Sequence, residues 1–277
     1  MLRIKMRGNY DAAFAIAIDQ TRLIFCLKKS TIFKHGTSMS SLVIVRHGES
    51  QWNKEGRFTG WTDIDLTPDG IQQARRAGKA LAAAGFRFDV AITSLLKRTI
   101  RSQWLILDEM DAMSTPIVGH WRLNERHYGA LTGLSRTETI AQFGEQQVWT
   151  WRRGYDSRPP MMDASDARVP WMDPRYRDVP NELLPIGESL ADTVARVRVF
   201  WDDVIVPMLK QDKNVIICTH GNSQRALVKL LEDLPDDEAA AFDVPNGVPL
   251  VYKLDKKLHV LNRSSMGMPL PEVSVIL

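Results

Sequence analysis

The 277-residue sequence predicts an α/β fold: a three-layer α/β/α sandwich around a mostly parallel central sheet. Three observations predict it. Short apolar runs at 42–45, 88–93 and 214–219 suit strands buried on both faces. Segments with helical periodicity alternate with them. The length fits one large domain, and the composition, 44% hydrophobic and 25% charged, is ordinary for a globular chain with its own core.

The first strand is Leu42-Val43-Ile44-Val45, and it runs straight into Arg46-His47-Gly48-Glu49-Ser50. Ligands bind beyond the carboxyl ends of strands in open α/β sheets, so this junction is a candidate site. Thr67-Pro68-Asp69-Gly70 reads as a helix start: Thr67 caps, Pro68 suits the first turn and Asp69 the positive end of the dipole. That helix should run to about Ala84 and stop at Gly85. Residues 88–93 form the second strand, and 94–110 a helix beginning near Lys97 and Arg98.

Residues 152–187 break the rhythm. Prolines at 159, 160, 170, 174, 180 and 185 exclude a long helix, while Tyr155, Trp171 and Tyr176 argue for a packed loop. Residues 188–210 are periodic and helical, and Pro207 should kink or end that helix. Residues 214–219 form a buried strand ending in His220-Gly221-Asn222-Ser223, with a helix following through Leu231. Residues 250–254 and 258–262 look like a terminal hairpin. There are no repeats and no linker that divides 39–277, which is expected to be a single catalytic domain.

Residues 1–38 differ. They hold seven Lys or Arg against Asp11 and Asp19, leaving 29 of the 36 basic and 31 of the 33 acidic residues to the rest of the chain. The globular part is therefore slightly acidic, and a global nucleic-acid footprint is excluded. The extension is expected to be disordered or a targeting segment. Its apolar stretches are too short to span a bilayer, so no membrane partner is expected. A cytoplasmic location is expected, with organelle targeting through 1–38 as the alternative. Cys26 and Cys218 form no disulfide framework.

Two histidines, His47 and His220, stand at the ends of buried strands, each before a glycine. A neutral imidazole is a good nucleophile toward phosphorus. Guanidinium forks match a phosphoryl group, and Arg46 and Arg98 sit at strand-to-helix junctions as such a clamp requires. Gly48 and Gly221 would let backbone amides approach an oxyanion closely. There is no Walker sequence and no Cys/His cluster with metal-ligand spacing, so metal independence is expected.

Longer motifs carry a resemblance: VRHGESQWNKEGRFTGWTDIDLT at 45–67, TSLLKRTIRS at 93–102, LNERHYGALTG at 123–133, WRRGY at 151–155 and THGNSQRALVK at 219–229. Across 41–262 the sequence resembles the cofactor-dependent phosphoglycerate mutases of the histidine phosphatase superfamily. The resemblance implies their fold and their reaction, the interconversion of 3-phosphoglycerate and 2-phosphoglycerate. It implies 2,3-bisphosphoglycerate as primer, with no metal.

The resemblance makes His47 the phosphorylated nucleophile and Glu125 the general acid/base. His220, with Arg46 and Arg98, would hold the transferring phosphoryl. Asn53, Thr59, Gly60, Arg126, Tyr128, Arg136, Arg152, Arg153, Gly221 and Asn222 would hold the carboxylate and second phosphate. The family pattern has lysine at Arg136. Ser50 and Thr59-Gly60 match the monophosphoglycerate type rather than the bisphosphoglycerate mutases, which have glycine and Cys-Ser there. The 136–187 segment speaks against a plain phosphatase, and Arg152-Arg153 looks like part of a lid. The C-terminal RSSMGMPLPEVSVIL lacks the Lys- and Ala-rich character of the family's tail. A homodimer or homotetramer is expected by the same resemblance.

Overall fold

The computed structural model describes residues 40–266. The expected extension over 1–38 and the tail beyond 266 lie outside the described residues.

The first strand, β1 (Ser40–Arg46), is apolar on both faces, and its side chains alternate between two cores. Leu42 and Ile44 point into one cluster; Val43 and Val45 point into the other. The same split holds in β2 (Val90–Thr93), where Val90 and Ile92 oppose Ala91. It holds again in β4 (Val215–Thr219), where Val215 and Ile217 oppose Ile216. With β3 (Ile117–Gly119), β5 (Pro249–Leu254) and β6 (Val260–Ser265) they form one sheet of order β3-β2-β4-β1-β5-β6. β3, β2, β4 and β1 are mutually parallel; β5 and β6 add an antiparallel edge.

Helices cover both faces. α2 (Pro68–Ala83) and α3 (Lys97–Glu109) pack on the Val43 side. On the Leu42 side lie α6 (Leu190–Phe200) and α8 (Gly221–Glu232). The three-layer sandwich is as the sequence predicts. Thr67 caps α2 by accepting the Gly70 amide, and Gly85 leaves that helix at φ +73°.

Of the two outcomes expected at Pro207, an end to the helix does not occur: a π-turn at Trp201–Ile205 precedes α7 (Val206–Lys210) and shifts the hydrogen-bond register. The Val206 amide bonds back to Trp201, so the missing proline N–H falls where the ladder is already offset. Strand ends also shift: β2 starts at Val90, and β6 runs from Val260 to Ser265.

The 152–187 segment forms packed 3-10 turns, with Tyr176 buried against Trp61 and Trp121. Ahead of it, α4 (Arg136–Phe143) and α5 (Glu145–Arg153) meet at Gly144, whose φ of +80° allows the reversal. Two short helices complete the fold, α1 (Gln51–Lys54) and α9 (Asp236–Ala241). No helix among the described residues is long and apolar enough to cross a membrane.

Candidate active site

The site begins with strand register. β1 and β4 pair in parallel with Arg46 opposite Thr219, so the next residues, His47 and His220, emerge side by side. The His47 amide extends the ladder to the Thr219 carbonyl at 3.0 Å. The two imidazoles meet edge to face with centroids 5.0 Å apart.

His47 is buried, and its Nδ1 lies 2.6 Å from the Gly48 carbonyl. A carbonyl only accepts, so Nδ1 carries the proton and Nε2 keeps its lone pair. Burial, then Arg98 and Arg46, holds the His47 pKa well below the ordinary value. His47 is thus a neutral imidazole whose Nε2 keeps a free lone pair.

Hydroxyl bookkeeping settles His220. The Thr99 hydroxyl donates to the Leu96 carbonyl at 2.8 Å, so it can only accept from Ser94, 2.6 Å away. Ser94 therefore spends its one proton on Thr99. It accepts from the Leu96 amide at 3.1 Å and from His220 Nε2 at 2.8 Å. His220 carries its proton on Nε2, and its buried Nδ1 has no partner. Burial, Arg98, His47 and Arg46 depress its pKa in turn.

The arginines are aimed by backbone carbonyls. Arg98 donates to Thr62 at 2.9 Å and to Gly60 at 2.8 Å. Gly60 reaches that geometry at φ +52°. Burial lowers the Arg98 pKa to about 10, which leaves it fully charged at neutral pH. Arg46 donates to Val244 at 2.8 Å, while its Nε is buried without a partner.

Glu125 is held by one oxygen. Its Oε1 accepts from the Arg126 amide at 2.8 Å, the Asn222 amide at 3.1 Å and the Asn222 side chain at 2.9 Å. Its Oε2 faces Gly221. The segment that carries Glu125 is clamped by a buried ion pair, Arg196 Nε to Glu188 Oε1 at 2.7 Å. Arg196 also donates to the carbonyls of Trp121, Arg122, Asn124 and Glu125, and Glu188 accepts the His127 amide at 2.8 Å.

These groups surround a cavity of about 320 Å³, at the small end of the range for small-molecule sites. Arg46, His47, Asn53, Thr59, Arg98, Glu125, Tyr128, Arg136, Arg152, Arg153, Gly221 and Asn222 all line it. Three expected residues stand behind the wall instead. Gly60 serves Arg98. Arg126 supports Arg152 through its carbonyl at 3.0 Å and lies over the Tyr128 ring at 4.9 Å. His220 is wholly enclosed. Asn53 spends Oδ1 on the capping box with Ser50.

Gly48 differs from expectation. Its amide donates to Ser102, and a Cβ would strike the Gly70 carbonyl at 2.0 Å, so it is required by the loop's contact with α2 rather than by an oxyanion. Gly221 does face the cavity, as expected.

Glu49, Arg57, Phe58, Arg225 and Asn246 also line the cavity and were not foreseen. Asn246 donates to the His47 carbonyl at 2.7 Å. Arg225 was within reach of the sequence, one helical turn after Gly221 on the same face. Ser94 had no signal beyond its place in TSLLKRTIRS. Seven arginines line the cavity against two carboxylates, Glu49 and Glu125. Among the described residues, only Arg57 of the seven has an ion pair, with Glu55. No group of His, Cys, Asp and Glu among the described residues is arranged to hold a metal.

A paired-histidine, arginine-rich pocket at strand ends is a phosphoryl-transfer arrangement. The model of the histidine phosphatase superfamily, branch 1, matches residues 42–168 and 161–264. The chain belongs to that superfamily. Its members are phosphoryl-transfer enzymes. Solved structures share the fold at low identity. A protein titled mycobacterial hydrolase 1 is 20% identical, with a TM-score of 0.63, over 83% of this chain and 99% of that one. A mycobacterial glucosyl-3-phosphoglycerate phosphatase is 20% identical, with a TM-score of 0.62, over 82% of this chain and 97% of its own. YhfR of Bacillus stearothermophilus is 23% identical, with a TM-score of 0.58, over 80% and 94%.

Proposed function

We propose that this superfamily member is a phosphoglycerate mutase, interconverting 3-phosphoglycerate and 2-phosphoglycerate through phospho-His47. One observation carries the reading: the cavity is lined by more cations than a single phosphoryl group needs. Arg46 and Arg98 stand by the histidines, while Arg136, Arg152 and Arg153 line the part formed by α4 and α5. Hydrolysis of a simple phosphomonoester needs only the first set. A substrate with a second anionic group uses both.

His47 Nε2 attacks phosphorus in line, forming the N–P bond as the ester O–P bond breaks. Glu125 Oε2 gives the departing oxygen its proton, and in the reverse direction removes the proton of the attacking hydroxyl. Arg46 and Arg98 face the phosphoryl oxygens, where charge is spread in the transition state, with His220 packed behind His47. The bisphosphorylated primer fits the donors present: the Nε atoms of Arg46 and Arg225 are buried without partners, as is the hydroxyl of Thr59. It would charge His47 with its first phosphoryl. The short helices 136–153 limit water, which would otherwise hydrolyse the phosphohistidine.

The phosphatase reading has support of its own. The mycobacterial neighbour is titled as acting on a glucosyl-3-phosphoglycerate, and in this chain water in place of an acceptor hydroxyl would give hydrolysis at the same His47.

An enolase-coupled assay with 3-phosphoglycerate, with and without catalytic 2,3-bisphosphoglycerate, tests the proposal. Turnover that requires the primer is the expected result. Phosphate release without isomerisation would replace the mutase reading with the phosphatase one.

A further inference from the structure

A second cavity, of about 200 Å³, shares no lining residue with the first. Its walls come from the loop at 61–63, the turn at 127–132 and the packed segment at 162–176. Trp61, Met162, Pro170 and Tyr176 supply apolar surface. His127 also lines it and is only 2% exposed. The His127 Nδ1 accepts the Gly129 amide at 3.0 Å, so the ring proton sits on Nε2. Burial, then Arg196 and Arg168, lowers the His127 pKa to about 4, so the ring is neutral at pH 7. Among the described residues this Nε2–H has no acceptor, and it is not sealed into the core.

The charged groups around the cavity are already matched. Arg168 donates to Asp166 and to the Thr132 carbonyl. Arg175 donates to Asp173 and to the Leu95 carbonyl, and pairs with Asp63 at 3.0 Å. An entering anion or cation would find no free partner, and a buried charge without one is costly. What the cavity lacks is a neutral acceptor for the His127 proton. Aromatic walls suit a flat molecule, and a cavity of roughly 150 Å³ already admits benzene.

The cavity also backs onto the supports of the main site. The carbonyl of Thr62, a lining residue, receives Arg98 at 2.9 Å. Trp61 Nε1 donates to the Glu125 carbonyl at 2.6 Å. The Tyr176 hydroxyl accepts from Asn124, the residue before Glu125, at 2.8 Å.

We propose that this cavity is a second binding site for a small, flat, neutral ligand whose carbonyl accepts from His127 Nε2, an aromatic carboxamide being the simplest kind, and that occupancy reaches turnover through Thr62 and Trp61. The link to turnover rests on the roles proposed above for Arg98 and Glu125; the binding site does not.

The test uses the full-length protein with isotope-labelled histidine, observed by NMR at neutral pH, and benzamide as probe. Benzamide should shift the His127 Nε2 resonance in a saturable way. It should bind about three- to tenfold more tightly than toluene, which keeps the ring and lacks the acceptor. It should also bind more tightly than benzoate or benzylamine, which bring a charge. His127→Phe should erase the margin over toluene. Inorganic phosphate, a ligand for the main cavity, should not displace benzamide. In the enolase-coupled assay, saturating benzamide should change kcat by about twofold or more and leave the KM for 3-phosphoglycerate unchanged.

A resonance that benzamide leaves in place means that only water enters, and it overturns the site; displacement by phosphate does the same. Tighter binding of benzoate or benzylamine overturns the ligand class. A margin that survives in His127→Phe overturns His127 as the donor. If His127→Phe does not fold, the wild-type resonance and the ligand series decide. An unchanged kcat with benzamide bound overturns the link to turnover and leaves the site. Absence of any isomerisation removes the mutase reading and leaves the binding result standing.

Discussion

This molecule holds two kinds of buried or half-buried arginine. Arg196 is enclosed with Glu188 and spends its donors on the carbonyls of Trp121, Arg122, Asn124 and Glu125. Arg46, Arg98 and Arg225 have no ion pair of their own and share the single carboxylate Glu125, and burial lowers the pKa of each. Compensation at Arg196 is complete before any ligand arrives. In the pocket it is left open. The first arrangement holds Glu125 in place; the second stores demand for anionic oxygen. Both depend on exclusion of water, which makes a pairing strong and its absence costly.

The sharpest way to break this contrast is Arg98→Met. It removes a fork from the transferring phosphoryl and should reduce kcat about 10²- to 10³-fold, in the range seen for loss of one transition-state donor. Steady-state kinetics with the primer present reads it. A loss confined to KM would show that Arg98 binds ground state and transition state equally, and would remove it from the chemistry.

Next in size is Arg196→Met, read by denaturant unfolding. Glu188 would be left buried and unpaired, which costs about 3–5 kcal/mol. A loss below about 1 kcal/mol would erase the distinction between the two arginine environments. Substitution at the pocket arginines should cost less stability, and least at Arg225, which has no hydrogen bond to lose.

The smallest effect per group is a pH dependence. His47 and His220 are depressed well below the usual histidine value, and His127 is lowered to about 4 by burial and by Arg196 and Arg168. The unfolded chain therefore binds protons that the folded chain refuses. Stability is complete above about pH 6.5 and falls as pH drops through the window down to about 4, by up to about 1.4 kcal/mol per pH unit for each histidine. Urea unfolding between pH 4.5 and 7.5 measures the slope. A flat profile would mean these rings are not held neutral, and His47 would lose its claim to a free lone pair.

Much of the fold was legible because its signals are local. An apolar run of four residues marks β1, and Thr67-Pro68-Asp69 marks the start of α2. Pro207 left the end of its helix open because proline forbids one hydrogen bond, and the π-turn that removes the need for it has no local signature. Gly48 misled because glycine serves both anion approach and backbone contact, and only the position of Gly70 distinguishes them. Most of the site was legible as residues, since twelve expected side chains or backbones line one cavity. Its supports were not. Glu188 and Arg196 fall in a segment whose periodicity marks a helix, and nothing local shows that the fold buries the two together.

The sequence by itself determined the strands and the polar residues that end them, two histidines and their neighbouring arginines among them. Those follow from side-chain type and from periodicities of two and 3.6 residues, which act over a few positions; the roles proposed for these residues come from the family resemblance. Tertiary structure alone decided which histidine nitrogen is free, which glutamate oxygen faces the reaction, and which arginines are compensated. Those depend on donors and acceptors brought together from distant parts of the chain, as when Ser94 meets His220 and Asn222 meets Glu125. A hydrogen bond between such partners is set by the packing of three layers, and no local pattern encodes it.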